Sequence, residues 1–370
     1  MTAQLLHEEV RFAAEALRAA LKGLIEDAGC NALKPQAVHR HIGVDRVLCW
    51  KVSRLIKAAR VEEALLQLPG DEALSIFITA FERTSTSTSP GRIDGARAAV
   101  AGLNRAIAKH VGDRRTLLLM LDSVPGGQDG LAQSRKLLFR GASGVWGIQA
   151  RERLQVLMLA PNAENPKVVD AAVAAGWVDV MRMRPDARWR LPLPDDGAPL
   201  AGDMLVSQFC QDTPQLTRET AADGATHLEI GPSATGRVGA FSIFMGMRQS
   251  GRREFGIDVL APTEHLNCDI LVHRELRLPQ GAGLRFYSAA FSTGTGCTDF
   301  DRMPIEAKAQ ALDGEAVFQN KHYARQRELL EFMFERTGWK AQDFVGLRYE
   351  LDHPPFPSVG VFSAPFEIGE

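Results

Sequence analysis

The sequence has no long apolar run. Its longest candidate, "TLLLML", ends after six residues at Asp122, whereas a helix needs about 20 apolar residues to cross a bilayer. The first residues carry Glu8, Glu9 and Glu15 where a signal peptide would have a basic head and an apolar stretch. We therefore expect a cytoplasmic protein that has no membrane partner.

Cysteine is scarce, and complete catalytic motifs are missing. The five cysteines are scattered without a CxxC pair, which argues against a disulfide framework and a thiolate zinc site. No H-E-x-x-H, no G-x-S-x-G and no complete dinucleotide fingerprint is present. "EIGPSATGRVGAF" has the glycines of a phosphate loop, but Arg237 and Val238 stand where that loop needs Lys and then Ser or Thr. A tight turn between strands is the better interpretation.

Two other segments contain reactive side chains without a recognised pattern. "EHLNCDILVHRE" offers five residues whose spacing fits no zinc signature: Glu264, His265, Cys268, Asp269 and His273. Cys297 follows a glycine-rich turn, and a nucleophilic role would require a distant histidine. We expect neither a metal nor a cofactor.

The organisation changes along the chain, whose 370 residues are enough for two or three domains. Residues 2–123 have the three-and-four apolar spacing of amphipathic helices, with a polar break at 83–91. After that, "RKLLFRGASGVWGIQARERLQVLMLAP" could be helix or strand, and "NPKVVDAAVAAGWVDVMRM" reads as a helix that runs into a strand. The segment 184–202 has four prolines and marks a domain boundary or a connection along a rim.

The last part of the chain is rich in aromatic residues and strand-like runs. It holds 14 of the 18 Phe and all three Tyr, and alternating runs are interrupted by one clear helix at 323–338. We predict an α+β protein, in which an all-helical N-terminal region containing a helix-turn-helix precedes a mixed, strand-rich C-terminal domain. The predicted regions are 1–68 for DNA binding, 69–190 as a helical or mixed middle, and 191–370 for sensing or dimerisation.

Positive charge is concentrated in one window of a chain whose net charge is −2. Residues 34–60 contain seven Lys or Arg against a single acid, Asp45. A local basic patch on a near-neutral chain is typical of a nucleic-acid-binding module. It is also found on the solvated face of an ordinary helix bundle, so both interpretations stay open.

The same window, "PQAVHRHIGVDRVLCWKVSRLIKAAR", predicts two helices separated by a turn. Val38 and Ile42 share one face of the first helix, Gly43 suits a left-handed turn, and Val44 points inward. Asp45 is a suitable N-cap for the second helix. That helix has an inward stripe of Leu48, Cys49, Val52, Leu55 and Ile56, and an outward side of Arg46, Val47, Trp50, Lys51 and Arg54.

Over residues 34–58, this pattern resembles the helix-turn-helix of bacterial transcription regulators and related recombinases. The resemblance implies that the second helix is the recognition helix and that residues 34–43 support it. His39 departs from the pattern, because the family usually packs a small Ala there. A bulky side chain at this position implies a wider helix crossing or a chance match.

If the chain binds DNA, its exposed side chains divide into two groups. Arg40, Lys57 and Arg60 would contact phosphates, whereas Arg46, Lys51 and Arg54 could reach base edges. In addition, Val47 could meet a thymine methyl group, and Trp50 could contact a base or a neighbouring helix.

These observations predict a bacterial DNA-binding transcription regulator. Such proteins bind double-stranded DNA as symmetric dimers, so we expect a homodimer whose C-terminal domain responds to a small-molecule or protein effector. The main alternative is an enzyme without a linear motif, in which the N-terminal helices serve only as a bundle or oligomer interface. A pure assembly protein is the third possibility.

Overall fold

The computed structural model describes residues 6–84, 89–122, 131–165, 168–194, 197–222, 224–276, 283–288, 298–312 and 314–363. The chain forms two compact units, Met1–Gly130 and Leu131–Glu370. This single division differs from the three predicted regions. Residues 69–122 share a hydrophobic core with the helices before them, and residues 148–182 form two strands of the large C-terminal sheet.

The described part of the N-terminal unit is helical, as the apolar spacing predicted. Its helices are α1 (Glu8–Asp27), α2 (Pro35–Ile42), α3 (Arg46–Lys57), α4 (Val61–Leu66), α5 (Asp71–Thr84), α6 (Pro90–His110) and α7 (Arg114–Asp122). One core joins them, and it includes Leu21 of α1, Val52 of α3, Phe77 of α5 and Leu103 of α6. Among the described residues, no helix combines the length and apolar character needed to cross a membrane.

The C-terminal unit is mixed, and its strands form three sheets. Its helices are α8 (Ala132–Trp146) and α9 (Gln326–Thr337), and its strands are β1 (Ile148–Pro161), β2 (Val169–Arg182), β3 (Trp189–Pro192), β4 (Ala198–Pro199), β5 (Leu216–Thr220), β6 (Thr226–Ile230), β7 (Phe241–Ser250), β8 (Glu254–Val259), β9 (Thr263–His273), β10 (Gly283–Ser288), β11 (Arg302–Glu306), β12 (Lys308–Leu312), β13 (Phe344–Asp352) and β14 (Ser358–Ser363). The protein is therefore α+β, as predicted.

The largest sheet has the strand order β12-β13-β9-β1-β2-β7-β4, and two smaller sheets have the orders β11-β10-β14-β8 and β3-β6-β5. Strands β1 and β9 run parallel, whereas the other pairs in the large sheet are antiparallel. Both faces of the large sheet are covered. One core holds residues of the two smaller sheets, such as Phe286 and Leu228, and another holds residues of α9, such as Leu330 and Met333.

The predicted helix at "NPKVVDAAVAAGWVDVMRM" is wrong, since residues 169–182 are strand β2 throughout. Alanine favours helices in isolation, but here alternate residues enter the two cores and the backbone pairs with β1 and β7. The small residues of β2 leave room for large side chains of the neighbouring strands. The Phe244 ring of β7, for example, lies so close to Gly176 that a Cβ atom at this position would be only 2.3 Å from it.

The proline-rich segment 184–202 does not separate two units. It lies within the C-terminal unit, where Trp189 and Leu191 of β3 are buried in the core and β4 pairs with the end of β7. Two of its four prolines, Pro192 and Pro199, are the last residues of β3 and β4, where missing N–H donors cost little.

Candidate nucleic-acid interface

Helix α2 begins and ends where the sequence predicts. Pro35 occupies its first turn, where a missing N–H leaves no hydrogen bond unmade. Gly43 follows the last residue with φ of 67°, a left-handed conformation that other residues rarely adopt. Val38 and Ile42 are both buried in the core of the N-terminal unit. Helix α2 thus packs one face against the core of the N-terminal unit and exposes its other face.

The turn between α2 and α3 is closed by a side chain of α2. The Nδ1 atom of His39 lies 2.6 Å from the carbonyl oxygen of Val44. The Cys49 thiol approaches the same oxygen at 3.9 Å. The His39 ring therefore holds the backbone of the turn, so a histidine at this position has a structural role.

Helix α3 is capped at both ends. The Asp45 carboxylate accepts hydrogen bonds from the backbone N–H groups of Val47 and Leu48, at 2.8 and 3.1 Å. At the other end, the guanidinium of Arg18 in α1 donates to the carbonyl oxygens of Ile56 and Ala58. A carboxylate at the first turn and a cation at the last turn also complement the helix dipole. The sequence predicted the first cap but not the second.

The inner face of α3 packs against the core as predicted. Cys49, Val52 and Leu55 are buried, and Leu48 and Ile56 are half-buried against the same core. Cys49 acts in this packing as a small apolar residue. Because it is buried, the pKa of its thiol is raised to about 11 and the thiol stays neutral. The orientation of α3 is therefore fixed by its buried residues, and a Val52→Asp substitution would place an unpaired charge in the core.

The opposite face of α3 is exposed, and every predicted DNA-contacting residue lies on an exposed surface: Arg40, Asp45, Arg46, Val47, Trp50, Lys51, Arg54, Lys57 and Arg60. Two apolar side chains stand out, because 60% of Val47 and 49% of Trp50 are accessible to solvent. The Arg54 guanidinium lies over the Trp50 ring, 4.3 Å from its centroid. Trp50 thus contacts Arg54 of its own helix, and its exposed ring contributes little to the core.

The basic side chains of this surface are mostly free of acidic partners. In the described part of the chain, Arg40, Arg46, Lys51 and Lys57 form no ion pair. Arg60 differs from them because its Nε lies 3.6 Å from a carboxylate oxygen of Glu62, which also pairs with Arg11 at 2.6 Å. Asp45, the single acidic residue of segment 34–60, uses its carboxylate to cap α3. The exposed face of α3 therefore carries uncompensated positive charge.

The motifs set aside in the sequence are not assembled into sites among the described residues. Asp269 pairs with Arg348, whereas Cys268 points to the other face of β9 and packs in the core. The segment around Gly236 connects β6 to β7 and has the left-handed backbone of a turn. Cys297 lies outside the described residues.

Sequence reasoning missed three buried polar residues of β1, namely Glu152, Arg153 and Gln155. The sequence of this segment is compatible with helix or strand, so the burial of these residues between two layers could not be predicted. The only available signal was the group of charged residues directly before the apolar run "VLMLA".

Comparisons with known proteins add no family. No family model matches the chain, and no curated protein matches it. Among solved structures, the chain is similar to a protein from Parabacteroides distasonis that is named as a proposed protease, with a TM-score of 0.31 and 8% identity, over 59% of this chain and 41% of that one. The chain thus matches less than half of that protein's length. A likeness this weak carries no argument about fold or activity.

Proposed function

We propose that this chain is a DNA-binding transcription regulator that places α3 in the major groove. The observation that carries the proposal is the exposed face of α3, on which Arg46, Lys51 and Arg54 surround the exposed side chains of Val47 and Trp50. A major groove admits an α-helix, and Arg and Lys are the commonest specific partners of guanine. A bundle helix without a partner has no comparable need for exposed apolar residues among unpaired cations.

The proposed contacts divide by their position on the surface. Arg46 and Lys51 lie on the exposed arc of the first turns of α3, where helix-turn-helix proteins read base edges. Arg40 and Lys57 flank this arc and suit phosphate contacts, which position the helix without reading sequence. We expect Val47 to contact a thymine methyl group. The Trp50 ring packs against Arg54, so it could either contact a methyl group itself or orient the Arg54 guanidinium toward a base.

The proposal includes a homodimer with the C-terminal unit acting in dimerisation, in effector sensing or in both. Regulators with this motif bind two half-sites about 34 Å apart, because a symmetric dimer doubles the contacts made by one recognition helix. Sedimentation of the full chain with and without DNA tests the dimer. A strict monomer at micromolar concentration under both conditions would contradict it.

The DNA-binding proposal is tested by fluorescence anisotropy with fragments selected from a pool of random duplexes. The full-length wild type is compared with the Arg46→Ala, Lys51→Ala double variant. We expect each substitution to weaken specific binding by about 1–3 kcal/mol. The matched control is the Arg105→Ala, Arg115→Ala double variant, which removes the same charge from exposed positions of α6 and α7.

Three results separate the proposal from its alternatives. Loss of selectivity in the α3 variant alone, with the control unchanged, supports recognition by α3. Equal losses in both double variants would indicate non-specific attraction by net charge. Equally weak binding by all three proteins, with no preferred sequence, would show that these helices only form a bundle.

A further inference from the structure

Arg153 is a buried cation in the interior of the C-terminal unit. Only 2% of its surface is accessible, and it lies on β1 directly opposite Trp177 of β2. Its guanidinium carbon is 4.3 Å from the centroid of the Trp177 ring. Because burial removes water from the guanidinium, the pKa of Arg153 is lowered to about 10, and the side chain stays charged at neutral pH.

The hydrogen bonds of Arg153 do not neutralise this charge. Its Nε donates to the carbonyl oxygen of Asp258, Nη1 to the carbonyl oxygen of Leu154, and Nη2 to Oε1 of Gln155, at 2.9, 2.5 and 2.8 Å. All three acceptors are neutral, and Arg153 forms no ion pair within the described ranges. A guanidinium has five N–H groups, so two remain for another acceptor. The Asp258 carboxylate acts on the guanidinium electrostatically but forms no ion pair with it, and a buried charge without a directly paired counter-charge is costly.

A cavity of 320 Å³ adjoins this side chain, between the large sheet and β8. Arg153 of β1 and Trp177 of β2 line the cavity on the side of the large sheet, and Gly256 lines it on the side of β8. Trp177 lines the same cavity; it is 1% exposed, and its Nε1 has no hydrogen-bond partner in the described structure. Buried donors without partners are rare in folded proteins. Arg153 and Trp177 are thus two independent indications of a missing acceptor.

The rest of the lining combines apolar side chains, among them Val173, Met245, Met247 and Phe255, with the amides of Gln155 and Gln249. At the rim, Arg252 contributes a positive charge, while Glu254 and Asp258 contribute negative charges. These acids disfavour a doubly charged group such as a phosphate. The volume is at the lower end of the range of ligand pockets.

We propose that this cavity binds a small amphipathic carboxylate, whose anionic head contacts both the Arg153 guanidinium and the Trp177 indole N–H. Its hydrocarbon part packs against Val173, Met245 and Met247. The carboxylate would supply both missing features, because it brings one negative charge to the guanidinium and accepts the free indole hydrogen bond. This site is independent of the proposed DNA binding.

The test uses the full chain and a series of straight-chain carboxylates from acetate to octanoate. Binding is followed by isothermal titration and by the midpoint of thermal unfolding, which rises when a ligand binds only the folded state. Hexanamide and hexylamine have the same hydrocarbon part with a neutral or positive head. We expect saturable binding of at least one carboxylate in the series, and binding weaker by about tenfold or more for its neutral and cationic counterparts.

Variants locate the site. Arg153→Met keeps most of the side-chain volume and should abolish carboxylate binding, whereas Trp177→Phe keeps a ring, loses the indole donor and should weaken it about three- to tenfold. Arg218→Met is the control, because it removes an exposed arginine from β5 of the same unit. If Arg153→Met does not fold, the comparison of carboxylate with amide on the wild type and on Trp177→Phe still decides the question.

Three outcomes would overturn the proposal. The first is the absence of binding by every carboxylate of the series to a folded wild-type protein. The second is equal binding of hexanoate and hexanamide, and the third is equal hexanoate binding by wild type and Arg153→Met, since in both cases the cavity would recognise only the hydrocarbon chain.

Discussion

The ring of His39 in α2 spans the turn to α3, where its Nδ1 donates to the Val44 carbonyl oxygen at 2.6 Å. This carbonyl is in the half-buried backbone of the turn, so losing its partner has a cost. The contact connects the supporting helix to the start of the proposed recognition helix through one side chain.

We expect His39→Ala to destabilise the N-terminal unit by about 1 kcal/mol, the usual contribution of one hydrogen bond. The measurement is the free energy of urea unfolding of the wild type and the variant. Gln36→Ala is the control, since Gln36 is an exposed residue of the same helix. A His39→Ala protein as stable as the control would mean that the ring does not hold the turn in solution.

Lys57 and Arg60 are expected to differ in their effect on DNA binding, although the sequence alone gives them the same role. Lys57 has no acidic partner in the described part of the chain, whereas Arg60 pairs with Glu62 at 3.6 Å. Each phosphate contact adds about one unit to the dependence of log K on log salt. Lys57→Ala should therefore lower this slope by about one unit, and Arg60→Ala by clearly less. Binding titrations over a range of salt concentrations measure both slopes, and equal changes would refute the distinction.

Helices α2 and α3 and the turn between them could be predicted because their signals are local. Gly43 ends α2, Asp45 caps α3, and the apolar spacing of Val52 and Leu55 sets the buried face, all within one short window. The contacts of His39 and Arg18 could not be predicted in the same way. A side-chain bond to a carbonyl oxygen depends on backbone geometry that residue types do not specify.

The C-terminal unit was less predictable because its decisive contacts are distant in sequence. The alanines of strand β2 favour a helix locally, but pairing with β1 and β7 determines the conformation of this segment. Arg153 and Trp177 face each other only through the register of two strands. A single sequence gives the residue types of such a pair but not the register that brings them together.

Asp269 and Arg348 form a buried ion pair that should be important for the stability of the C-terminal unit. They are directly paired on β9 and β13, and the guanidinium binds both carboxylate oxygens at 2.7 Å. Gln326 of α9 donates to the same carboxylate at 2.7 Å. Removing one partner of a buried pair leaves the other charge uncompensated.

We therefore expect Asp269→Asn and Arg348→Met each to lower the free energy of unfolding by about 3–5 kcal/mol. The double variant should lose less than the sum of the two, because no unpaired charge remains in it. Chemical denaturation of the four proteins gives the coupling energy. Strictly additive losses would show that the two groups do not interact in the folded protein.

Glu152 should make the C-terminal unit less stable as the pH rises from acid to neutral. Its side chain is fully buried on β1, and burial raises its pKa to about 7, although Asn320 donates a hydrogen bond to Oε1 at 3.0 Å. The groups acting on it electrostatically are Arg151, His265 and Asp269. In the unfolded chain, Glu152 loses its proton near pH 4.5, the ordinary value for a glutamate. Between that pH and about 7, the folded state therefore holds a proton that the unfolded state has released.

The raised pKa of Glu152 makes its contribution to the free energy of unfolding depend on pH. The folded state binds more protons in this window, so the contribution of Glu152 to stability is complete below pH 4.5 and is lost as the pH rises to about 7. The loss is at most about 3 kcal/mol. Glu152→Gln keeps the shape and has no charge to bury. We expect it to match the wild type near pH 4 and to be more stable than the wild type at pH 8 by up to about 3 kcal/mol.

Tryptophan fluorescence during urea unfolding can follow this unit, which contains Trp146, Trp177, Trp189 and Trp339. The comparison of wild type with Glu152→Gln across pH 4 to 8 cancels the contributions of the other titrating groups. Glu335→Gln is the control, because it neutralises an exposed carboxylate on α9 of the same unit. If the difference between wild type and Glu152→Gln stays constant with pH while the control is unchanged, Glu152 does not hold its proton at neutral pH in the folded protein. A difference that instead grows toward acid pH would show that burial is outweighed by partners of the charged carboxylate.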